Sequence, residues 1–131
     1  MARLSREEIN SISLLVVTSA IIVHREMGPG LLESVYHHCM IHELSLHSLK
    51  VSSKVPVPLM YKEVELKKDY VIDLLVEDAI ILEIKAVEGL MPVHEAQLLS
   101  YLKLTNRRLG LLINFNVPLL KQGLKRMVNN L

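Results

Sequence analysis

Three charged residues interrupt two short apolar runs near the middle of the chain. Asp73 lies within Tyr70–Val76, and Glu83 and Lys85 lie within Ile80–Lys85. Burying a charge costs several kcal/mol unless that charge is paired or binds an ion. Because oxygen ligands suit Mg²⁺ or Mn²⁺, a shared divalent cation is one explanation for the two carboxylates. Such an ion activates water for attack on a phosphodiester, and a nearby lysine stabilises the charge that develops.

The turn between the two runs decides whether the carboxylates can meet. If both runs are β-strands, side chains alternate between the two faces of the sheet. A two-residue turn would put Asp73 and Glu83 on opposite faces. A three-residue turn, Glu77–Ala79, would pair Val76 with Ile80 and set the two acids opposite each other, with Cβ atoms about 5 Å apart. A metal site therefore requires the three-residue turn or a bulge.

Two further features of these strands bear on the hypothesis. The backbone carbonyl of Ile84 is a natural additional ligand, because it lies between Glu83 and Lys85 in the chain. The same residues also fit an exposed strand face on which Lys85 forms an ion pair with Glu83 or with Asp73. The spacing alone leaves both interpretations open.

The helix predicted after these strands carries polar residues on one side. Gln97 and Tyr101 are four residues apart and His94 comes three before Gln97, so all three share a helix face. Gln97 would hold the substrate or a group that positions the metal ligands, and Tyr101 would contact a phosphate. The alternative is an amphipathic helix whose polar side faces water.

Apolar spacing, capping residues and Gly/Pro breaks predict the elements that position these residues. The chain is expected to form one α/β domain over residues 1–131 with the order ααβββαβα. The predicted helices are Arg6–Glu26, Leu31–Leu46, Val93–Leu104 and a C-terminal helix from Pro118 to about Asn129. The predicted strands are Lys54–Tyr61, Asp69–Val76, Ala79–Val87 and Leu109–Phe115.

Composition permits a globular domain but does not itself indicate a nucleic-acid partner. The 131 residues are 50% hydrophobic, carry a net charge of +1, and include no Trp and one Phe. Nucleic-acid-binding domains are usually strongly basic or offer aromatic rings for base stacking. The C-terminal basic residues form either a phosphate-binding patch or ordinary soluble surface. They are Arg107, Arg108, Lys121, Lys125 and Arg126.

The apolar run Ser11–Val23 is expected to be a buried helix, with a signal peptide as the alternative. It is shorter than the roughly 20 residues that span a bilayer, and Ser5 and Glu8 match a helix capping box. We therefore expect a cytoplasmic protein with no membrane contact. The lone Cys39 fits a reducing compartment and is expected to fill the core rather than act as a nucleophile.

One other pair of residues could bind a metal. His38 and His42 are four residues apart on the second predicted helix, at a spacing able to bind Zn²⁺. No cysteine or acid stands at structural-zinc spacing beside them. A solvated helix face is the alternative.

The ordered set of Asp73, Glu83-Ile84-Lys85 and Gln97-x-x-x-Tyr101 resembles the PD-(D/E)XK nuclease superfamily, in its RecB-like branch. The segment Gly30–Tyr36 resembles the signature of the GxxExxY proteins, a group placed in that superfamily. Similar segments occur at residues 92–103 and 110–116, so the resemblance covers nearly the whole chain. One departure is Ile72, which stands where the superfamily name has Pro.

The resemblance implies a restriction-endonuclease-like fold, with a central mixed β-sheet flanked by helices and a divalent-metal site. It implies that Asp73, Glu83 and the Ile84 backbone bind Mg²⁺ or Mn²⁺ and that Lys85 is catalytic. Gln97 and Tyr101 would support catalysis. Glu33 would be a helix-borne acid near the metal, although a surface acid in a first helical turn is equally consistent with the sequence. Tyr36 is expected in the core.

These observations together favour a Mg²⁺-dependent nuclease that hydrolyses DNA or RNA with a metal-activated water. A homodimer would double the surface that grips nucleic acid. The alternative is a catalytically inactive nuclease-fold module that binds a protein or nucleic-acid partner. The low net charge and the few aromatic residues favour this alternative.

Overall fold

The computed structural model describes residues 3–66 and 70–131. Its helices are α1 (Arg6–Met27), α2 (Glu33–Leu46) and α3 (Pro92–Leu104). Its strands are β1 (Val51–Pro56), β2 (Leu59–Tyr61), β3 (Val64–Leu66), β4 (Val71–Val76), β5 (Ile80–Lys85), β6 (Leu109–Asn114) and β7 (Leu124–Val128). The predicted strand start at Asp69 lies outside the described residues.

A mixed five-stranded sheet with the order β1-β4-β5-β6-β7 forms the centre of the fold. Strands β5 and β6 are parallel and are joined through α3, whereas the other neighbours are antiparallel. Helices α1 and α2 pack on one face and α3 packs on the other, each over its own buried apolar cluster. The predicted α/β class with a mixed sheet flanked by helices is confirmed.

Helix α1 begins where the sequence predicts. The Ser5 hydroxyl accepts a hydrogen bond from the Glu8 backbone N–H (3.1 Å), and the Glu8 carboxylate accepts one from the Ser5 N–H (2.9 Å). This capping box pairs two N–H groups that a helix start otherwise leaves free. By length and composition α1 could also cross a membrane. In this fold its inward residues Val16, Ala20 and Val23 are buried against α2 and the sheet.

Tyr36 fixes the connection between α1 and α2. Its hydroxyl donates to the Gly28 carbonyl (2.6 Å) and accepts from the Leu31 N–H (3.1 Å). Its fully buried ring stacks on Phe115 at 4.6 Å. The expectation that Tyr36 belongs to the core is confirmed.

The prediction of one strand over Lys54–Tyr61 is wrong. The segment is divided between β1, which pairs with β4, and β2, which pairs with β3 in a separate two-stranded hairpin. Pro56 and Pro58 lack the N–H groups that a continuous ladder needs. The hairpin turn at Lys62 and Glu63 has φ values of 48° and 71°, which suit a type I′ turn. Lys and Glu are not residue types that predict a type I′ turn, which favours Asn and Gly.

The predicted C-terminal helix is also wrong. A short 3₁₀ turn, Leu120–Gly123, leads into β7, which pairs with β6 along the edge of the sheet. The apolar spacing of this segment fits a helix, but pairing with the exposed edge of β6 prevails over that local pattern. A Cβ atom on Gly123 would lie 2.1 Å from the Asn114 carbonyl oxygen, so the turn needs glycine. The observed order of regular elements is therefore ααβββββαββ.

Candidate metal-binding and catalytic site

The turn between β4 and β5 has the length that a metal site requires. Val76 pairs with Ile80, Leu74 pairs with Leu82, and the three residues Glu77–Ala79 form the turn. Glu77 and Asp78 adopt left-handed φ values of 52° and 53°. The three-residue turn is thus confirmed, and its register sets Asp73 opposite Glu83.

Each of the two carboxylates accepts a hydrogen bond from the backbone of the neighbouring strand. The backbone N–H of Asp73 donates to Glu83 Oε2 (2.9 Å), and the backbone N–H of Ile84 donates to Asp73 Oδ2 (2.8 Å). These side chains replace the backbone ladder, which ends at Leu74 and Leu82. Within residues 3–66 and 70–131, no hydrogen bond engages Asp73 Oδ1 or Glu83 Oε1. Each acid thus offers one oxygen that the described protein groups leave available.

Burial makes this carboxylate pair electrostatically costly. Glu83 is 4% exposed, whereas Asp73 is half-buried. Burial, followed by the repulsion of Asp73, raises the pKa of Glu83 to about 8. A divalent cation between the acids would relieve both effects. The hard oxygen atoms of the pair therefore fit Mg²⁺ or Mn²⁺.

Lys85 is half-buried at the end of β5, two residues after Glu83. Its charge lowers the pKa of Glu83, although burial and Asp73 outweigh this effect. Among the described residues, Lys85 takes part in neither of the ion pairs, which are His47–Glu43 and Arg107–Asp78. The alternative of an exposed strand face with a Lys85 ion pair is therefore not what the structure shows. Ile84 contributes backbone here, and its side chain is buried in the core.

Helix α3 brings Tyr101 to the carboxylates. Burial, followed by the charges of Glu83, Tyr70 and Asp73, raises the pKa of Tyr101 to about 12. The phenol therefore stays protonated at neutral pH and can donate a hydrogen bond. Gln97 lies one turn earlier on α3 and is half-buried. His94, expected on this polar side, instead accepts the Met91 N–H through Nδ1 (3.0 Å) and caps the helix.

Glu33 opens α2 and is exposed. Its charge is the smallest of the influences that raise the pKa of Glu83. No group of three or more His, Cys, Asp or Glu side chains in the described part of the chain is arranged to hold a metal. The structure thus brings Asp73 and Glu83 together and leaves Glu33 outside the close pair. His38 and His42 line an apolar groove between α1 and α2.

His37, Tyr70 and Asn114 lie at or beside the site and were not predicted there. His37 is buried on α2, and its Nε2 lies 2.9 Å from Ser53 Oγ. Burial and then Lys54 lower the pKa of His37, whereas Asp73 raises it. A signal for His37 does exist in the sequence, because it comes one helical turn after Glu33.

Tyr70 and Asn114 lie on different sides of the site. The Tyr70 ring meets the Tyr101 ring edge-on at 6.5 Å. Asn114 is 1% exposed and binds both the N–H and the carbonyl of Val87, each at 3.0 Å. It thereby fixes the chain that leaves β5 just after Lys85. The sequence gives no separate signal for either residue.

A cavity of about 550 Å³ lies at the opposite end of the sheet and contains none of the predicted site residues. The β4–β5 turn and the loop between α3 and β6 line it. Its basic residues are Arg3, Lys50, Arg107 and Arg108. The carboxylate pair, in contrast, lies where β4 and β5 separate. Cavity size therefore does not identify the candidate site in this fold, and we locate it by its chemistry.

Comparison with known proteins agrees with the fold. The family model of the PD-(D/E)XK nuclease superfamily matches residues 10–127. Comparisons with curated proteins and with solved structures find no match. PD-(D/E)XK nucleases generally use divalent metals, a preference that the carboxylate oxygens of Asp73 and Glu83 would suit. The matched region covers most of the 131 residues, and the chain therefore belongs to the PD-(D/E)XK nuclease superfamily.

Proposed function

We propose that this chain is a Mg²⁺- or Mn²⁺-dependent nuclease that hydrolyses phosphodiester bonds in DNA or RNA. Membership of the superfamily suggests nuclease function. The observation that carries the proposal for this chain is the pairing of the half-buried Asp73 with the buried Glu83, with Lys85 two residues after Glu83 on β5.

In this proposal Asp73, Glu83 and the Ile84 backbone hold the cation, and Glu33 completes its surroundings from α2. The cation supplies Lewis-acid polarisation of the phosphate and lowers the pKa of a bound water. Lys85 stabilises negative charge on the phosphate. Gln97 orients the substrate, and Tyr101 donates a hydrogen bond to a phosphate oxygen.

We also propose several properties that the superfamily match does not test. The Gly30–Tyr36 segment supports a place among the GxxExxY proteins of the RecB-like branch. Residues 1–131 would form one domain, located in the cytoplasm. A homodimer would double the nucleic-acid-binding surface, and light scattering of the purified protein would detect it.

The first test separates metal binding from catalysis. Calorimetric titration of Mn²⁺ should show binding to wild type and its loss in Asp73→Ala, because that change removes one of the two ligand carboxylates. Asp78→Ala is the matched control, since Asp78 is an exposed acid in the turn beside Asp73's strand and pairs with Arg107. Retained Mn²⁺ affinity in Asp73→Ala would contradict the assigned site.

Cleavage of a panel of single- and double-stranded DNA and RNA completes the test. Lys85→Ala should lower kcat by at least about 100-fold, as loss of a transition-state donor does. Its Mn²⁺ affinity should stay close to that of wild type, because Lys85 is not a ligand in this proposal.

A second function is favoured by one feature of the surface. The β2–β3 hairpin exposes large apolar side chains on a ribbon outside the main sheet, with Met60 55%, Tyr61 62% and Val64 59% exposed. Such a ribbon suits a partner-binding module that cuts nothing. A chain that binds Mn²⁺ but cleaves no member of the panel would favour this second function.

A further inference from the structure

The side-chain alternation of β1 reverses in the middle of the strand. Val51 packs with the cluster under α1 and α2, and Ser53 on the same face reaches His37 of α2. Val55 instead packs with the cluster under α3. In a regular strand residues 51, 53 and 55 would share one face, so the reversal lies at residue 54.

Strand β4 reverses at the matching place. Leu74 and Val76 pack with the α1/α2 cluster, whereas Ile72 packs with the α3 cluster. The two strands stay in register on both sides of the reversal, since Ser53 pairs with Leu74 and Val55 with Ile72. This register puts Lys54 directly opposite Asp73. The first proposed ligand therefore lies between Lys54 on β1 and Glu83 on β5.

Lys54 makes the reversal by adopting a left-handed backbone, with φ of 56°. This region is disfavoured for a lysine and is rarely used within a strand. Glycine or asparagine would adopt it at lower cost. Non-glycine residues held in this region cluster at functional sites, because the surrounding structure enforces them. The strand thus keeps a long cationic side chain where a smaller residue would be easier to accommodate.

The charge of Lys54 lies on the α2 side of the candidate site. It acts on His37, where its effect on the pKa is second only to burial, and Asp73 acts on the same histidine. Lys54 is exposed and belongs to neither ion pair found among the described residues. A phosphodiester approaching Asp73, Glu83 and Glu33 meets three acids. Lys85 supplies one cation at the end of β5, and Lys54 supplies another from the edge strand.

We propose that Lys54 is a substrate-binding residue that contacts a phosphate oxygen of the nucleic acid at the candidate site. This inference rests on the proposed nuclease function. The left-handed backbone redirects the side chain, because regular alternation would put residue 54 on the face opposite Val51 and Ser53, under α3. Lys54 and Lys85 would then hold the phosphate backbone from two sides of the carboxylate pair.

The salt dependence of binding tests this contact. Affinity for a fluorescent oligonucleotide is measured by fluorescence anisotropy in the presence of Mg²⁺. All variants carry Lys85→Ala, which slows cleavage of the oligonucleotide during the measurement. Lys54→Gln should weaken binding about 5- to 10-fold at 0.1 M salt and flatten the slope of log K against log[salt] by about 0.7 to 0.9, the value of one phosphate contact. Lys54→Arg should restore the slope. Lys103→Gln, an exposed lysine in the last turn of α3, is the control and should change neither quantity.

A second variant separates the side chain from the backbone. Lys54→Gly accepts the left-handed φ without strain, so its unfolding temperature should equal or exceed that of wild type. Its loss of affinity should nevertheless match that of Lys54→Gln. A purely structural role for residue 54 predicts the reverse, namely retained affinity in the glycine variant.

Failure of the inference and failure of the function give different results. If wild type cleaves nucleic acid but Lys54→Gln keeps the wild-type affinity and salt slope, the Lys54 contact is overturned and the nuclease proposal stands. If the chain binds no DNA or RNA at any salt concentration, both are overturned.

Discussion

At the scale of single residues, Glu83 is the described group whose pKa changes most on folding. Burial and then Asp73 raise its pKa from 4.5 to about 8. Between these values the folded chain holds a proton that the unfolded chain has released. Stability must therefore fall as pH rises through this window, by at most about 1.4 kcal/mol per pH unit.

The Glu83→Gln variant isolates this effect. Glutamine keeps the size of the side chain but cannot ionise, so the pH-dependent part of the difference from wild type reports Glu83. We expect the unfolding free energy of wild type to fall relative to that of the variant between pH 4.5 and about 8. Denaturant titrations in metal-free buffer measure the difference, in which contributions from Glu8 and His37 cancel. A pH-independent difference would contradict the assigned burial of a titrating carboxyl group.

Glu33 is expected to act less directly than Asp73 or Glu83. It is exposed at the start of α2 and influences Glu83 only through its charge. Glu33→Gln should therefore weaken Mn²⁺ binding by about 10-fold, the scale of an outer-shell loss, without abolishing it. Complete loss of binding would instead make Glu33 a direct ligand.

At the scale of elements, the end of β6 supports the site. Asn114 holds both backbone groups of Val87, and this bridge fixes the segment after Lys85. Asn114→Ala should cost about 1–3 kcal/mol, because buried partners lose their hydrogen bonds. Asn116→Ala is the control, since its side chain makes one longer bond to Val87 (3.3 Å). Equal losses of unfolding free energy in the two variants would contradict a special role for Asn114.

The turn into β7 depends on Gly123. An added Cβ atom would meet the Asn114 carbonyl at 2.1 Å, whereas one added at Gly89 would meet nothing within 4 Å. Gly123→Ala should therefore lower the unfolding free energy by about 1–3 kcal/mol, and Gly89→Ala should change it little. A calorimetric comparison of the two variants tests whether β7 pairs as described.

The sequence predicted the elements whose local pattern and tertiary role agree. Helices α1 and α3 and strands β4, β5 and β6 lie close to their expected bounds. The hypothesis that Asp73 faces Glu83 predicted a three-residue turn, because strand periodicity leaves few other solutions. In this hairpin the local sequence pattern was sufficient to predict the register.

Two features of the sheet were missed because the deciding interaction is remote in sequence. Residues 118–129 have helical apolar spacing, but the free edge of β6 pairs with them as β7. The reversal at Lys54 lies opposite the one in β4 and has no signature in the residues around it. The position of His37 one helical turn after Glu33 was a usable signal, but its burial against Ser53 depends on how α2 lies over β1.

At the scale of the whole molecule, the sandwich brings three layers to one end of the sheet. Helix α2 supplies Glu33, the sheet supplies Asp73, Glu83 and Lys85, and α3 supplies Tyr101. The basic cavity lies at the other end. A net charge of +1 gives the molecule little general attraction for nucleic acid. Under the proposed function, nucleic-acid binding would therefore depend on local cations, on the metal, or on a second subunit.

The most direct test of this account is the position of a bound ion. Anomalous diffraction from a crystal soaked in Mn²⁺ should give one peak within about 2.0–2.3 Å of a carboxylate oxygen of both Asp73 and Glu83, as a hard octahedral ion requires. The peak should vanish in Asp73→Ala crystals. A peak elsewhere, or none at Mn²⁺ concentrations that saturate binding in solution, would contradict the claim that these two acids form a divalent-metal site.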